Sequence, residues 1–485
     1  MRNNTLIAMI TFFVCLVALI AAYFLYGKFL SRVVGLDDNN PVPAKTHYDG
    51  VDYMPLPRWR IFLIQLLNIA GTGPIFGAIL GACYGPVAFL WITIGGIFMG
   101  AMHDFIAGVI SLRNGGKSLP ETIGKYLGGN MRKFALVMIP ILMILVGAVF
   151  IVTPSQILTD KTDIPYLVWV GIIIVYYFIA TILPIDKIIG KIYPIFGAAL
   201  IFMALALFGV LIFGSYEIPE LTSLNNEHFN ARNLPIIPTL FISIACGAIS
   251  GFHATQSPLM ARCMTSESQA RPIFFGAMIS ESIIALIWAA IAMAFFGGIG
   301  GLNGFMAANG SNAGLAVSII SDTTLGTIGG ILAIMGVVVA PITSGDTAFR
   351  SARLIIADML DYDQKPIYKR LIISLPLFAI GIGIAFIDFD VIWRYFAWSN
   401  QALSVITLWM IVAWLMRRDN RYTIIALIPA LIMTYICSSF VFISPQFIGM
   451  GSTAAAYVYG GAVTAILSGI LMLNIRRHAQ RETNI

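Results

Sequence analysis

Long apolar runs alternate along this chain with short polar loops that hold most of the charge. About 20 apolar residues, wound as a helix, cross the roughly 30 Å hydrocarbon core of a bilayer. The first run, Thr5 to Tyr26, is longer than the apolar core of a cleaved leader. No small-x-small cleavage site follows it, so it reads as an uncleaved span. A polar loop extends from Lys28 to Arg60. Further runs lie near residues 61–80, 86–112, 134–152, 166–183, 193–213, 236–257, 273–296, 325–343, 371–387, 393–416, 422–443 and 454–473. The pattern predicts about thirteen spans and an all-α polytopic membrane protein.

Two of these runs are interrupted. The first carries Asn68-Ile69-Ala70-Gly71-Thr72-Gly73-Pro74, which predicts a break at 70–74. Gly costs about 1 kcal/mol relative to Ala inside a helix, and Pro about 3. The second carries Ala245-Cys246-Gly247-Ala248-Ile249-Ser250-Gly251-Phe252-His253-Ala254-Thr255-Gln256-Ser257-Pro258, which predicts a break at 247–258. Irregular backbone at membrane depth is tolerated only where protein or a water-filled cavity covers it. Glycines that merely allow close helix packing are the plainer reading. A broken span in each half of a chain points instead to a transporter binding site.

Counted from the first broken span, the second is the sixth. A five-helix unit is odd, so a second copy enters the membrane from the opposite side. The expected units are an extra N-terminal span in 1–30, a loop at 31–60, and inverted repeats at 60–214 and 235–416. Two further spans at 421–474 and a tail at 475–485 complete the chain. This plan resembles the LeuT-like amino acid–polyamine–organocation architecture, a 5+5 inverted repeat with one extra helix before it and two after.

Composition agrees with a membrane protein. Of 485 residues, 59% are hydrophobic and 11% charged, against roughly 25% charged in soluble domains. The net charge of +6 is not a nucleic-acid signal. With the N-terminus outside and the C-terminus cytoplasmic, alternating loops place 25 of the 29 Lys and Arg on the inner side; Arg2, Lys161, Arg232 and Arg394 are the exceptions. The five cysteines show no ligand spacing, so neither a disulfide framework nor a zinc site is expected. There is no Walker A sequence, and no cofactor is expected.

The breaks supply the candidate substrate site. Backbone N–H groups freed near Ala70, Gly71 and Gly73 favour a carboxylate, and Gln65, Asn68 and Thr72 add side-chain hydrogen bonds. From the second break come Gly247, Ser250, Gly251, His253, Thr255 and Gln256. His253 either carries a proton or binds the carboxylate; a structural histidine donating to a carbonyl is the alternative. Proton-coupling candidates are Glu281, Asp104 with its neighbour His103, and Asp346. Intramembrane carboxylates are rare, and desolvation favours their protonated form. Glu281, lacking a basic partner nearby in sequence, is preferred. Static pairing with His103 or Arg113 is the plainer role for Asp104. Capping a helix over Thr347–Leu360 is the plainer role for Asp346. Ala340, Thr343 and Ser344 place a carbonyl and two hydroxyls on one helix face, a possible sodium site with carbonyls near Ile69 to Thr72. Such hydroxyls also commonly bond back to the preceding turn. Asn400 and Gln401 are expected to line an outer vestibule. No catalytic signature such as H-E-x-x-H or G-x-S-x-G occurs, so no enzyme is expected.

Several motifs resemble the carbon starvation protein A (CstA) family. They are Asp49-Gly-Val-Asp-Tyr53, Ile69-Ala-Gly-Thr-Gly-Pro74, His103-Asp104, Ser111-Leu-Arg113, Gly116-Lys-Ser-Leu119, Ser250-Gly-Phe-His253, Thr347-Ala-Phe-Arg350-Ser-Ala-Arg353 and Trp398-Ser-Asn400-Gln401. They run in order over about residues 47–416. The resemblance implies a bacterial inner-membrane carrier linked to carbon starvation, importing short peptides or, coupled to protons, pyruvate. The chain is shorter at its C-terminal end than many members. A sodium-coupled carrier of the same fold and a non-transporting nutrient sensor remain as alternatives. Expected partners are a small-molecule substrate, a coupling ion and the lipid bilayer, with no nucleic acid; the sequence leaves the oligomeric state open.

Overall fold

The computed structural model describes residues 9–50, 52–182, 189–364, 366–387 and 389–483. The expected start of the first span at Thr5, and Val51, Lys187 and Lys365, lie outside them. Every regular element among the described residues is a helix, the form that satisfies backbone groups within one segment in hydrocarbon. In chain order the helices that build and enclose the site are α1 (Ile10–Val34), α2 (Arg58–Ile69), α3 (Gly73–Ala82), α4 (Val87–Arg113), α5 (Gly129–Lys161), α6 (Tyr166–Ile182) and α7 (Ile189–Phe213). Then come α8 (236–243), α9 (Gly251–Ala261), α10 (Glu267–Phe295), α11 (Ala340–Met359), α12 (Ile367–Ile384), α13 (Phe389–Arg418), α14 (Ile424–Ile443) and α15 (Thr453–Thr483).

Among the described residues nine helices are long and apolar enough to cross a membrane, and the bent pair α2–α3 makes ten. The other three expected spans fall on shorter or interrupted helices. These are α6, the pair α8 and α9, and the run from Ala313–Ala333 through Ile334–Val339 into α11. The span expected to end at Thr343 does not stop there. Pro341 follows closely on the helical turns Ile334–Val339 without ending the helix, and no further proline occurs before Met359. Asp346 is therefore inside a helix and does not cap one.

The most enclosed spans are α4 and α10, each 83% buried over its apolar window, whereas α15 is 11% buried and peripheral. Around the two enclosed spans pack α2, α3, α9 and α13. The loops sort into two groups. At one end, Tyr53 donates to Gly115 O (3.3 Å), Leu56 N to Cys263 O (3.0 Å), and Asn474 to Leu127 O (2.6 Å). Arg113 pairs there with Glu267 at 2.8 Å. At the other end, Thr11 N donates to Glu220 (3.0 Å), Asn303 to Cys83 O (3.1 Å), and Tyr395 to Gln446 O (3.4 Å). The first group is the one that carries most of the Lys and Arg.

Candidate functional site

The chain leaves the helix in two places, and the two places touch. At the first, α2 ends at Ile69, the chain bends by 55°, and α3 resumes at Gly73 with Pro74 in its opening turn. At the second, residues 244–250 are non-helical between α8 and α9, and Gly247 adopts φ +93°, a conformation glycine reaches without a Cβ penalty. A Cβ on Gly73 would overlap the Cys246 side chain, and one on Gly77 would lie 2.7 Å from Ser243 O. Small residues let the two irregular backbones approach this closely.

The second break lies earlier than expected, at 244–250 instead of 247–258. Pro258 sits inside α9, so His253, Thr255 and Gln256 are on a helix. The glycines mark the true break and the proline does not. Side chains from elsewhere take over the backbone groups that the break frees. Trp91 donates to Ile244 O (3.1 Å) and Gln401 to Ile249 O (3.0 Å). Asn400 Oδ1 accepts from Phe252 N (2.7 Å) and Ser250 Oγ (3.1 Å), capping α9. Asn400 and Gln401 are fully buried. The outer-vestibule expectation is corrected: they hold the break together.

At the centre lies a chain of four titratable side chains from three helices, all fully buried. Asp104 on α4 meets His103 Nδ1 through one carboxylate oxygen and His253 Nδ1 through the other, each at 2.8 Å. Nε2 of His253, on α9, faces Glu281 Oε2 on α10 at 3.5 Å. An ionised Asp104 only accepts, so both Nδ1 atoms carry hydrogen. His253 Nε2 is then a lone pair facing a carboxylate, and two acceptors need one proton between them. It sits on Glu281 as a carboxylic acid or on His253 as an imidazolium. Without it, the cluster would hold two uncompensated buried negative charges. Glu281, alone in sequence, thus has a basic partner in space. Arg113 pairs with Glu267, not with Asp104. Donor atoms of Cys246, His253 and Glu281 lie within 4.8 Å of one another, close enough to touch a common ion, a convergence that spacing along the chain does not reveal.

Near the first break, both amide atoms of Gln65 and Asn68, the Thr72 hydroxyl and Gln256 Oε1 are buried with no hydrogen-bond partner among the described residues. Each such group costs about 1–3 kcal/mol, which suits a surface that a polar substrate completes. Gln65 and Asn68 lie on α2, which packs against α9 and α11. Ala70 and Gly71 are buried in the turn beside Thr72. Thr255 donates to Phe252 O (2.6 Å), and Ser250 is engaged with Asn400.

Asp346 accepts from Tyr193 (2.7 Å), a partner that nothing nearby in sequence announces. Thr343 bonds back to Val339 O (3.1 Å) and Ala340 O (2.8 Å). Ser344 is shared between Ala340 O and Leu67 O, both at 3.0 Å. The carbonyl that meets it on α2 is Leu67's, not one of those at Ile69 to Thr72.

Comparison with known proteins gives consistent results. The family model described as "Carbon starvation protein CstA" matches residues 7–165, 152–327 and 295–439. An uncharacterized membrane protein of Haemophilus influenzae is 42% identical over 340 residues, 59% of this chain and 91% of that protein. "Peptide transporter CstA" of Campylobacter jejuni is 27% identical over 62% of this chain and 51% of its own length. "Pyruvate/proton symporter BtsT" of Escherichia coli is 27% identical over 55% of this chain and 46% of its own. The chain thus spans about half the length of these two named relatives. Among solved structures, MhsT in complex with L-phenylalanine superimposes with a TM-score of 0.56 at 15% identity, covering 87% of this chain and 99% of MhsT. The manganese transporter of Eremococcus coleocola gives 0.55 at 14% identity, covering 89% and 99%. The fold is LeuT-like.

Proposed function

The chain belongs to the carbon starvation protein CstA family, and from that premise we propose a secondary transporter that imports a small carboxylated nutrient, pyruvate or a short peptide, driven by protons. The observation that carries this reading is the approach of His253 Nε2 to Glu281 Oε2, 3.5 Å apart beside the second break, both buried and without a hydrogen-bond partner among the described residues. The cluster binds one proton, and its members sit on α4, α9 and α10. A motion of α9 against α4 and α10 would change that proton's partners, which is how uptake of a proton can be tied to a change of access.

The substrate site would lie beside it, where Gln65, Asn68, Thr72 and Gln256 keep unpartnered polar atoms. One helix bundle would rock against the other around the two breaks. Gathering of Lys and Arg at one end favours an N-terminus outside and a C-terminus in the cytoplasm of a bacterial cell. The relatives named for peptide and for pyruvate transport support the substrate class.

The test is uptake of labelled pyruvate into proteoliposomes under an imposed inward proton gradient, with unlabelled di- and tripeptides as competitors. Saturable uptake that a protonophore abolishes and peptides do not affect supports a proton–pyruvate symporter. Competition by peptides shifts the substrate to them, absence of pyruvate uptake moves the test to labelled peptides, and absence of both uptakes supports a sensor. The Ser344 hydroxyl between Ala340 O and Leu67 O favours a second reading, sodium coupling. Uptake that follows a sodium gradient and ignores the proton gradient would establish it.

A further inference from the structure

Arg353 is a buried cation with no ion-pair partner of its own among the described residues. It lies on α11 with 1% of its surface exposed, and its Nε and Nη1 have no acceptor among the described residues. The charges around it are Arg350, Arg370, Asp52 and Asp346. Neither acid forms an ion pair with Arg353, and Asp52 Oδ1 has no hydrogen-bond partner among the described residues. Asp346 accepts from Tyr193 at 2.7 Å. Asp52 faces Arg350 Nη1 at 3.6 Å. It is held there by a tight turn in which Asp49 Oδ1 accepts from the backbone N–H of Asp52 (3.0 Å) and of Tyr53 (2.9 Å). Arg350 also donates to Ala180 O at 2.7 Å, and Arg370 to Gln364 O at 2.6 Å. Buried charges are ordinarily paired, because desolvation is costly without a counter-charge.

A cavity of about 360 Å³ adjoins this cluster, lined by Asp52, Arg262, Leu354 and Ala357 among others. Two of these, Leu354 and Ala357, are the residues one and four places after Arg353 on the same helix. The cavity lies at the end that carries the basic loops, where Tyr53 and Arg262 meet Gly115 and Gly116.

We propose that Arg353, with Arg350 beside it, forms an anion site on the inner side of the transport path that receives a small carboxylate on its way out. The proposal rests on the reading of this chain as a carboxylate carrier with its basic end inside. A guanidinium offers several N–H donors in a plane and forms strong charge-assisted hydrogen bonds to a carboxylate. An incoming carboxylate supplies the missing acceptor for Arg353 and competes with Asp52 for Arg350. Release then follows through the adjoining cavity, whose lining also carries Asp49, Asp358, Asp361 and Asp363. These acids repel an anion and disfavour its retention.

The test measures both faces of the full chain. In proteoliposomes of fixed orientation, Arg353→Gln raises the KM for pyruvate presented at the inner face by about tenfold or more, the loss of one charge-assisted contact. The outer-face KM changes less than about twofold. An equal change at both faces, or none, overturns the proposal. Thermal stability of the purified protein, titrated with pyruvate, acetate and chloride, is read in parallel. Stabilisation by the two carboxylates that Arg353→Gln abolishes supports the site, even if the wild type fails to accumulate pyruvate, in which case only the transport reading falls. Stabilisation by chloride alone overturns a carboxylate site. If Arg353→Gln does not fold, Asp52→Asn decides. Removing the competing acid tightens carboxylate binding by about threefold or more, and unchanged binding overturns the proposal.

Discussion

Replacing Glu281 by glutamine keeps the length of the side chain and an N–H donor toward His253, and it removes the group that shares the proton. The amide mimics a permanently protonated Glu281, so His253 Nε2 keeps a hydrogen-bond donor within reach and the fold is preserved. The cluster then has no proton to gain or lose in the transport cycle. If a single proton shared across the 3.5 Å gap is the coupling ion, the stoichiometry is one. Each pH unit of gradient is worth about 1.36 kcal/mol per proton. A two-unit inward gradient therefore drives a neutral proton–anion pair to at most about 100-fold accumulation in the wild type, and to about onefold in Glu281→Gln. Exchange of labelled for unlabelled substrate needs no net proton movement and stays within about threefold of wild type. The assay is paired uptake and counterflow in the same proteoliposomes. Accumulation above about threefold in a folded Glu281→Gln protein would refute the assignment and move the coupling role to Asp104 or Asp346. Loss of exchange together with accumulation would show that Glu281 serves the substrate site or the fold, and would equally refute it.

Asn400→Ala strips the cap from α9 and leaves Phe252 N and Ser250 without their acceptor. It should cost about 1–3 kcal/mol, read as a lower unfolding temperature in detergent together with reduced uptake. Gly73→Ala drives a methyl into Cys246 and should abolish uptake, whereas Gly171→Ala, where a Cβ meets nothing within 4 Å, should leave uptake and stability unchanged. Ser344→Ala removes the link from α11 to Leu67 O, which should cost about 0.5–1.5 kcal/mol of stability and leave proton-driven uptake within about twofold of wild type. Complete loss of uptake on that change, restored by high sodium, would favour sodium coupling.

The breaks and the buried acids were legible in the sequence because each violates a strong local rule. Gly, Pro and carboxylates are costly in hydrocarbon, so they stand out against apolar runs. What could not be read was partnership across space. His253 and Glu281 are 28 positions apart, Tyr193 and Asp346 are separated by 153, and no periodicity joins them. Pro258 misplaced the second break because a proline signals a breaker even where packing around α9 absorbs it. Asn400 and Gln401 looked like vestibule residues because polar side chains near a predicted span end usually meet water. The continuity of the span with the helix expected over Thr347–Leu360 was hidden by the polar stretch from Thr343, where Asp346 and Arg350 meet Tyr193 and Ala180 O only once the neighbouring helices are in place.

The clamp of Asn400 and Gln401 on the second break has a kinematic meaning. A non-helical segment is easily taken for a loose joint, yet this one is riveted to another helix at Ile249 O, Ser250 Oγ and Phe252 N. Swinging α9 alone would strand three buried polar groups at about 1–3 kcal/mol each, which makes independent motion of that helix a sparsely populated state. On the transport reading α9 and α13 would therefore move as one lever, carrying Cys246, which contacts Ser250 and Asn400, against the close-packed Gly73. The surface that such a lever would turn on is a glycine against a thiol, and its reach would depend on how far α13, 30 residues long, can tilt among its neighbours.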